Sequence, residues 1–159
     1  MRLKPIRSWK KVFEKDLSYI AFELRDLVST PAFIMLEGPL GAGKTTFSKV
    51  FTGDPDTMSP TYSLLSEYSN ILHGDFYRIK TREDIIQLEL ELYLENKDYF
   101  LAEWSKKHFH SIDPELSEEF ESYLLEITIN SFQSKLKPEL EESEVIFSRN
   151  FVLSRVIPD

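Results

Sequence analysis

The chain has 159 residues, 42% of them hydrophobic and 29% charged, with no cysteine and a formal net charge of −8. That length suits one domain over 1–159, large enough for a real core and too small for a kinase with long lids, and the missing cysteines exclude disulfides and thiolate metal sites. The acidic balance disfavours direct, independent binding of RNA or DNA, and without a roughly 20-residue apolar run or a signal-peptide pattern a cytoplasmic protein away from membranes is expected.

The first residues, Arg2 to Lys11, are locally basic and read as a solvated strand or arm. From Asp16, a candidate N-cap, Leu17, Ile20, Ala21, Leu24 and Leu27 recur at helical spacing and predict a helix that Thr30-Pro31 ends. The apolar run Ala32 to Leu36 then predicts a strand. It leads into Gly38-Pro39-Leu40-Gly41-Ala42-Gly43-Lys44-Thr45, a complete G-x-x-x-x-G-K-[ST] phosphate-binding loop, followed by the helix-compatible Thr46 to Phe51. With glycine at about 7% of residues, a chance match in so short a chain is expected in well under about 1 in 100 sequences. Backbone N–H groups of such a loop wrap a polyphosphate, Lys44 reaches the outer phosphates, Thr45 offers its hydroxyl to Mg²⁺, and the helix adds its positive end.

Beyond the helix, Ser59-Pro60-Thr61-Tyr62 is either a strand-initiating turn or, beside a bound γ-phosphate, a switch carrying Ser59 and Thr61. Thr61 to Tyr68 reads as a strand, as does Ile71 to Phe76, within which His73-Gly74-Asp75-Phe76-Tyr77-Arg78 places a carboxylate at the strand end. Asp75 there is a metal-positioning acid or a turn cap, and His73 a possible packed histidine. Arg82 to Leu94 predicts an amphipathic helix, and Tyr99 to Trp104 a buried strand ending on a second acid, Glu103. Ligands gather at the carboxyl ends of strands in open α/β sheets, so Asp75, Glu103 and the loop are expected to share one crevice. Trp104 either stacks on a base or fills the core. Leu124 to Ile129 and Val145 to Val156 are strand-like, separated by the acidic surface stretch Ser134 to Glu144. The pattern predicts an α/β fold of the P-loop NTPase kind, a mostly parallel sheet covered by helices with extra C-terminal strands.

These residues, in order from about Leu17 to Trp104, resemble the TsaE family, small bacterial ATPases required for threonylcarbamoyladenosine (t6A) modification of tRNA. The resemblance is carried by Leu40 to Thr46, Ser59 to Leu64, Glu67-Tyr68, the His-x-Asp-x-Tyr-Arg pattern at His73 to Arg78, and Glu103-Trp104. It implies an ATP substrate, Mg²⁺ held by Thr45 and Glu103, Asp75 acting at the metal or the attacking water, Thr61 in the first switch and Trp104 lining the adenine site. It also implies TsaB- and TsaD-type partners that stimulate hydrolysis and supply the tRNA. The chain departs from the family at Pro39, where an acidic or polar residue is usual, at Leu17, where a Thr near the adenine is common, and in a short Phe51 to Met58 connection.

Two rival classes can be weighed. A GTPase needs an Asn-Lys-x-Asp to read guanine, and Asn96-Lys97-Asp98-Tyr99 brings its Asp one residue early, with no Asp-x-x-Gly after Asp75. A small-molecule kinase of the P-loop class is the alternative, though it needs an acceptor segment and lid arginines where the middle of this chain offers chiefly Arg78 and Arg82.

Overall fold

The computed structural model describes residues 1–54, 64–130 and 147–159. Among the described residues seven strands form one sheet: β1 (Arg2–Val12), β2 (Ala32–Glu37), β3 (Leu65–Tyr68), β4 (Ile71–Asp75), β5 (Tyr99–Glu103), β6 (Glu121–Ile129) and β7 (Arg149–Ile157). Their spatial order is β1-β7-β6-β2-β5-β4-β3. The four central strands β6, β2, β5 and β4 run parallel, while β3 at one margin and β7 and β1 at the other pair antiparallel. The parallel centre is where the continuous apolar run Ala32 to Leu36 lies, fully buried on both faces, as expected of a strand covered from both sides.

Alternation along β2 divides the core. Ala32, Ile34 and Leu36 face a layer made by α1 (Leu17–Leu27) and α2 (Lys44–Thr52), which contributes Ile20, Leu24, Phe47 and Phe51. Phe33 and Met35 face the opposite layer, where α3 (Arg82–Ile86), α4 (Leu90–Leu94) and α5 (Phe109–Ile112) bury Ile85, Leu90, Leu94 and Ile112. Burying a Leu, Ile or Phe side chain is worth roughly 1.5–3 kcal/mol. The parallel register brings the carboxyl ends of β2, β5 and β4 level, with Leu36 opposite Glu103 and Glu103 opposite Asp75. Among the described residues no helix is long and apolar enough to cross a membrane.

Two local expectations change. Asp16 stands at the N-cap position of α1 as expected, but its side chain makes no capping bond to the helix; it closes a 3-10 turn, Glu14–Asp16, and its carboxylate accepts from the Phe13 N–H at 2.9 Å. The stretch Arg82 to Leu94 is not one helix but two, broken at Glu89, which is left-handed (φ 53°). Ile85 and Leu90 are five residues apart, about 140° around a helix at 3.6 residues per turn. A straight helix could not bury both against the sheet, and the break resets the phase so that both are buried. Ser59, Thr61 and the whole of the acidic stretch Ser134 to Glu144 lie outside the described residues.

Candidate functional site

The phosphate loop leaves the carboxyl end of β2 and turns directly into α2. Gly41 (φ 79°) and Gly43 (φ 99°) take the left-handed backbone the turn needs, a conformation that side chains disfavour. Gly38 is required by space: a Cβ there would stand 2.7 Å from the Ile127 carbonyl oxygen and 3.0 Å from the Ala42 Cβ. Pro39 serves through its carbonyl, accepting from the Ala42 N–H at 3.0 Å and from Lys44 Nζ at 3.1 Å, so its missing N–H is no loss. Lys44 is 5% exposed and also donates to the Gly38 carbonyl, which holds the ammonium over the loop. Burial pushes its pKa below the usual lysine range, with Glu103, Glu37 and Asp75 pulling the other way.

The acids meet beside it. Register pairs Leu36 with Glu103 across β2 and β5, and Glu103 with Asp75 across β5 and β4, so both carboxylates emerge at the ends of strands flanking the loop. Glu103 is 2% exposed; Thr45 Oγ1 donates to its Oε1 at 3.2 Å, and His73 Nε2 lies 2.8 Å from its Oε2. His73 itself is completely buried, at mid-strand in β4. Asp75 Oδ1 accepts from the Tyr77 N–H at 3.0 Å, so the turn-capping reading of this residue holds alongside its place at the site. Thr45 and Glu103 present hard oxygen donors 3.2 Å apart, which suits Mg²⁺, an ion that takes one or two protein oxygens and completes its shell with phosphates and water. Among the described residues no group of three or more His, Cys, Asp or Glu is placed to hold a metal ion by itself.

Trp104 is left-handed (φ 58°), and its ring lies 4.0 Å from Lys44 Nζ and 5.1 Å from the Tyr77 ring. It therefore covers the ammonium, a cation–π arrangement at the phosphate end of the loop. A cavity of about 630 Å³ is lined by Ala42, Gly43 and Thr46 together with Val12, Phe13, Leu17, Phe147 and Phe151, with Glu14, Lys15 and Arg149 also bordering it, and Trp104 is not part of its lining. Leu17, one of the departures noted above, is among its apolar walls.

Sequence reasoning overlooked two participants, Arg149 and Glu37, and read His73 as a packed histidine. Arg149 at the start of β7 donates from Nε to the Ala42 carbonyl at 3.0 Å and from Nη2 to the Gly41 carbonyl at 3.1 Å. Glu37, the last residue of β2, accepts from the Lys106 N–H at 2.7 Å; burial raises its pKa, the Lys106 N–H and the ammoniums of Lys44 and Lys106 oppose this, and Glu126 adds to it. His73 is the direct partner of Glu103. No local motif marks Arg149 or Glu37, and only the sheet register brings Arg149 to a loop about a hundred residues away. The near-match Asn96 to Tyr99 is at the opposite end of the sheet: Asp98 accepts from Asn70 Nδ2 at 2.7 Å and its carbonyl receives the N–H of Ala32, the first residue of β2. It cannot read a base held at the phosphate loop.

Comparison with known proteins agrees with the motif set. The family model described as "Threonylcarbamoyl adenosine biosynthesis protein TsaE" matches residues 13–137. A "tRNA threonylcarbamoyladenosine biosynthesis protein TsaE" of Rickettsia typhi is 43% identical over 94 residues, 54% of this chain and 65% of that protein. The protein of the same name from Bacillus subtilis is 32% identical over 120 residues, 70% of this chain and 72% of that one. The chain thus spans somewhat less than two thirds of the length of the Rickettsia relative it matches. The solved structure titled "Crystal structure of Bacillus subtilus YdiB" aligns over 98% of this chain and 88% of its own with a TM-score of 0.60 and 24% identity, a likeness of fold.

Proposed function

That this chain belongs to the TsaE family is the premise from which we propose that it is a Mg²⁺-dependent ATPase acting in t6A modification of tRNA, through a nucleotide-driven switch with partner proteins. The observation that carries the ATPase reading is the convergence of Lys44, Thr45 and Glu103 at the mouth of a complete phosphate loop, with Asp75 one strand away. Loop N–H groups and the start of α2 bind the phosphates. Lys44, already stripped of most of its water, neutralises charge developing on the transferred group, and a low-dielectric setting makes that charge count. Thr45 and Glu103 would hold Mg²⁺, which when bound would supply positive charge to offset that of the phosphates. Glu103 is held in place by His73, and Asp75, its register partner on β4, would act at the metal or the attacking water. The adenine is best accommodated by the apolar cavity beside Thr46, while Trp104 shields the Lys44 ammonium.

The partner requirement follows from chemistry as well as kinship. A chain with net charge −8 is a poor holder of tRNA, so a more basic partner of the TsaB–TsaD type supplies the RNA and stimulates hydrolysis. The test is phosphate release from ATP by the isolated chain and with such partners, and by a Lys44→Ala variant. Slow release alone, stimulation by partners and none from Lys44→Ala is the expected result. Lys44→Ala turning over normally would overturn the hydrolase reading, and phosphate transfer to a small metabolite without partners would favour a kinase.

A further inference from the structure

Arg149 lies outside the residues matched by the family model and carries no motif, yet its guanidinium holds two consecutive carbonyls of the phosphate loop. A trans peptide is planar, with its C=O and N–H pointing opposite ways. Pinning the Gly41 carbonyl therefore orients the plane that carries the Ala42 N–H, which donates across the loop to Pro39 at 3.0 Å. Pinning the Ala42 carbonyl orients the next plane, and leaves the Gly43 N–H on the face away from the guanidinium. These are the planes between two left-handed glycines, the part of the loop with least conformational restraint of its own.

The brace is itself anchored. Arg149 pairs with Val12 on β1 and with Ile129 on β6. Its neighbours are tied in too, since Asn130 Nδ2 donates to Ser148 Oγ at 3.1 Å and to Asn150 Oδ1 at 2.8 Å, and Asn150 Oδ1 also accepts from the Lys11 N–H. The third contact of the guanidinium, from Nη1 to the Phe147 carbonyl at 2.6 Å, keeps the fork on this side of the loop. A forked, planar donor suits two adjacent carbonyls in a way that a lysine ammonium does not.

We propose that Arg149 is a positioning residue for nucleotide binding: by holding the Gly41 and Ala42 carbonyls it fixes the turn closed by the Ala42 N–H and preorganises the Gly43 N–H for the phosphates. This rests on the nucleotide-binding reading above. Preorganisation of this kind increases affinity by removing an ordering cost at the moment of binding. The benefit should scale with the phosphates the loop embraces, although Arg149 also borders the cavity assigned to the base.

The test compares ADP and AMP binding by calorimetry for the wild-type chain, Arg149→Met and Arg149→Lys, and follows exchange of the Ala42 amide without nucleotide. Two charge-assisted bonds, partly exposed, predict a loss of about tenfold in ADP affinity for Arg149→Met and a smaller one for Arg149→Lys. AMP affinity should change less than about twofold, and Ala42 exchange should quicken about tenfold, since the loop loses its restraint. Equal losses for AMP and ADP would overturn the proposal in favour of a base-side contact, and unchanged ADP affinity would overturn it outright. If Arg149→Met fails to fold, Arg149→Lys carries the same comparison. Should the wild-type chain bind neither nucleotide, the functional reading falls, and the brace is judged by exchange alone, with an unchanged Ala42 rate counting against it.

Discussion

Replacing Glu103 by glutamine separates a metal ligand from a structural acid. The carboxylate is 2% exposed and bridges Thr45 Oγ1 at 3.2 Å and His73 Nε2 at 2.8 Å. A glutamine of the same length still accepts from Thr45 through its oxygen and can donate its amide to His73 when the ring proton is on Nδ1. Charge-assisted bonds worth about 1.5–3 kcal/mol become neutral ones worth about 0.5–1.5 kcal/mol, and the cost of burying an anion is removed at the same time. These terms oppose, so the net change should stay within about 1 kcal/mol, or about 2–4 °C in Tm for a chain of this size. Catalysis has no such offset. Loss of one charge-stabilising group in a closed site costs about 2.7–4 kcal/mol, a factor of about 10²–10³ in kcat. The Mg²⁺ concentration giving half-maximal phosphate release should rise at least about tenfold, because a carboxylate is the main protein charge available to the ion. Glu103→Asp retains the charge but is one methylene too short to reach both partners, and should be intermediate. Thermal melts and phosphate release against Mg²⁺ concentration decide the matter. A Tm drop of more than about 10 °C with an unchanged Mg²⁺ midpoint would refute the assignment and leave Glu103 a structural partner of His73.

Three other outcomes are expected. Gly38→Ala drives a Cβ to 2.7 Å from a backbone carbonyl, at about 1–3 kcal/mol for the forced shift, so melting should fall by about 2–12 °C with weakened ADP binding; wild-type values for both would show that the loop yields easily. In a Trp9→Phe background the emission of Trp104 should respond to ADP and scarcely to AMP, because its ring covers the Lys44 ammonium; equal responses would place the base at Trp104 after all. Glu37 has a raised folded pKa, chiefly from burial, so the native state binds more protons than the unfolded chain from the ordinary carboxylate range up to the raised value, and stability falls as pH rises through that window. Glu37→Gln, which can still accept from the Lys106 N–H, should therefore melt higher than wild type at neutral pH and converge with it below about pH 4; a variant less stable at neutral pH would contradict the sign.

What the amino-acid sequence determines by itself is whatever short-range chemistry controls. The loop from Gly38 to Thr45 is legible because glycines at fixed offsets permit one particular turn, and the run Ala32 to Leu36 before it can only be a strand buried on both faces. The amphipathic α1 is legible from its period, and the strand-end positions of Asp75 and Glu103 from the apolar runs that precede them. The break at Glu89 was hidden because a local period does not say which side of a helix meets the sheet. Tertiary structure alone decided that Asp75 and Glu103 are register partners, that His73 backs Glu103, and that Arg149 reaches Gly41 and Ala42. Each of those contacts depends on which strands lie side by side and in what register. That choice is made by packing the two apolar faces of the whole sheet, a sum over distant residues that no local spacing encodes.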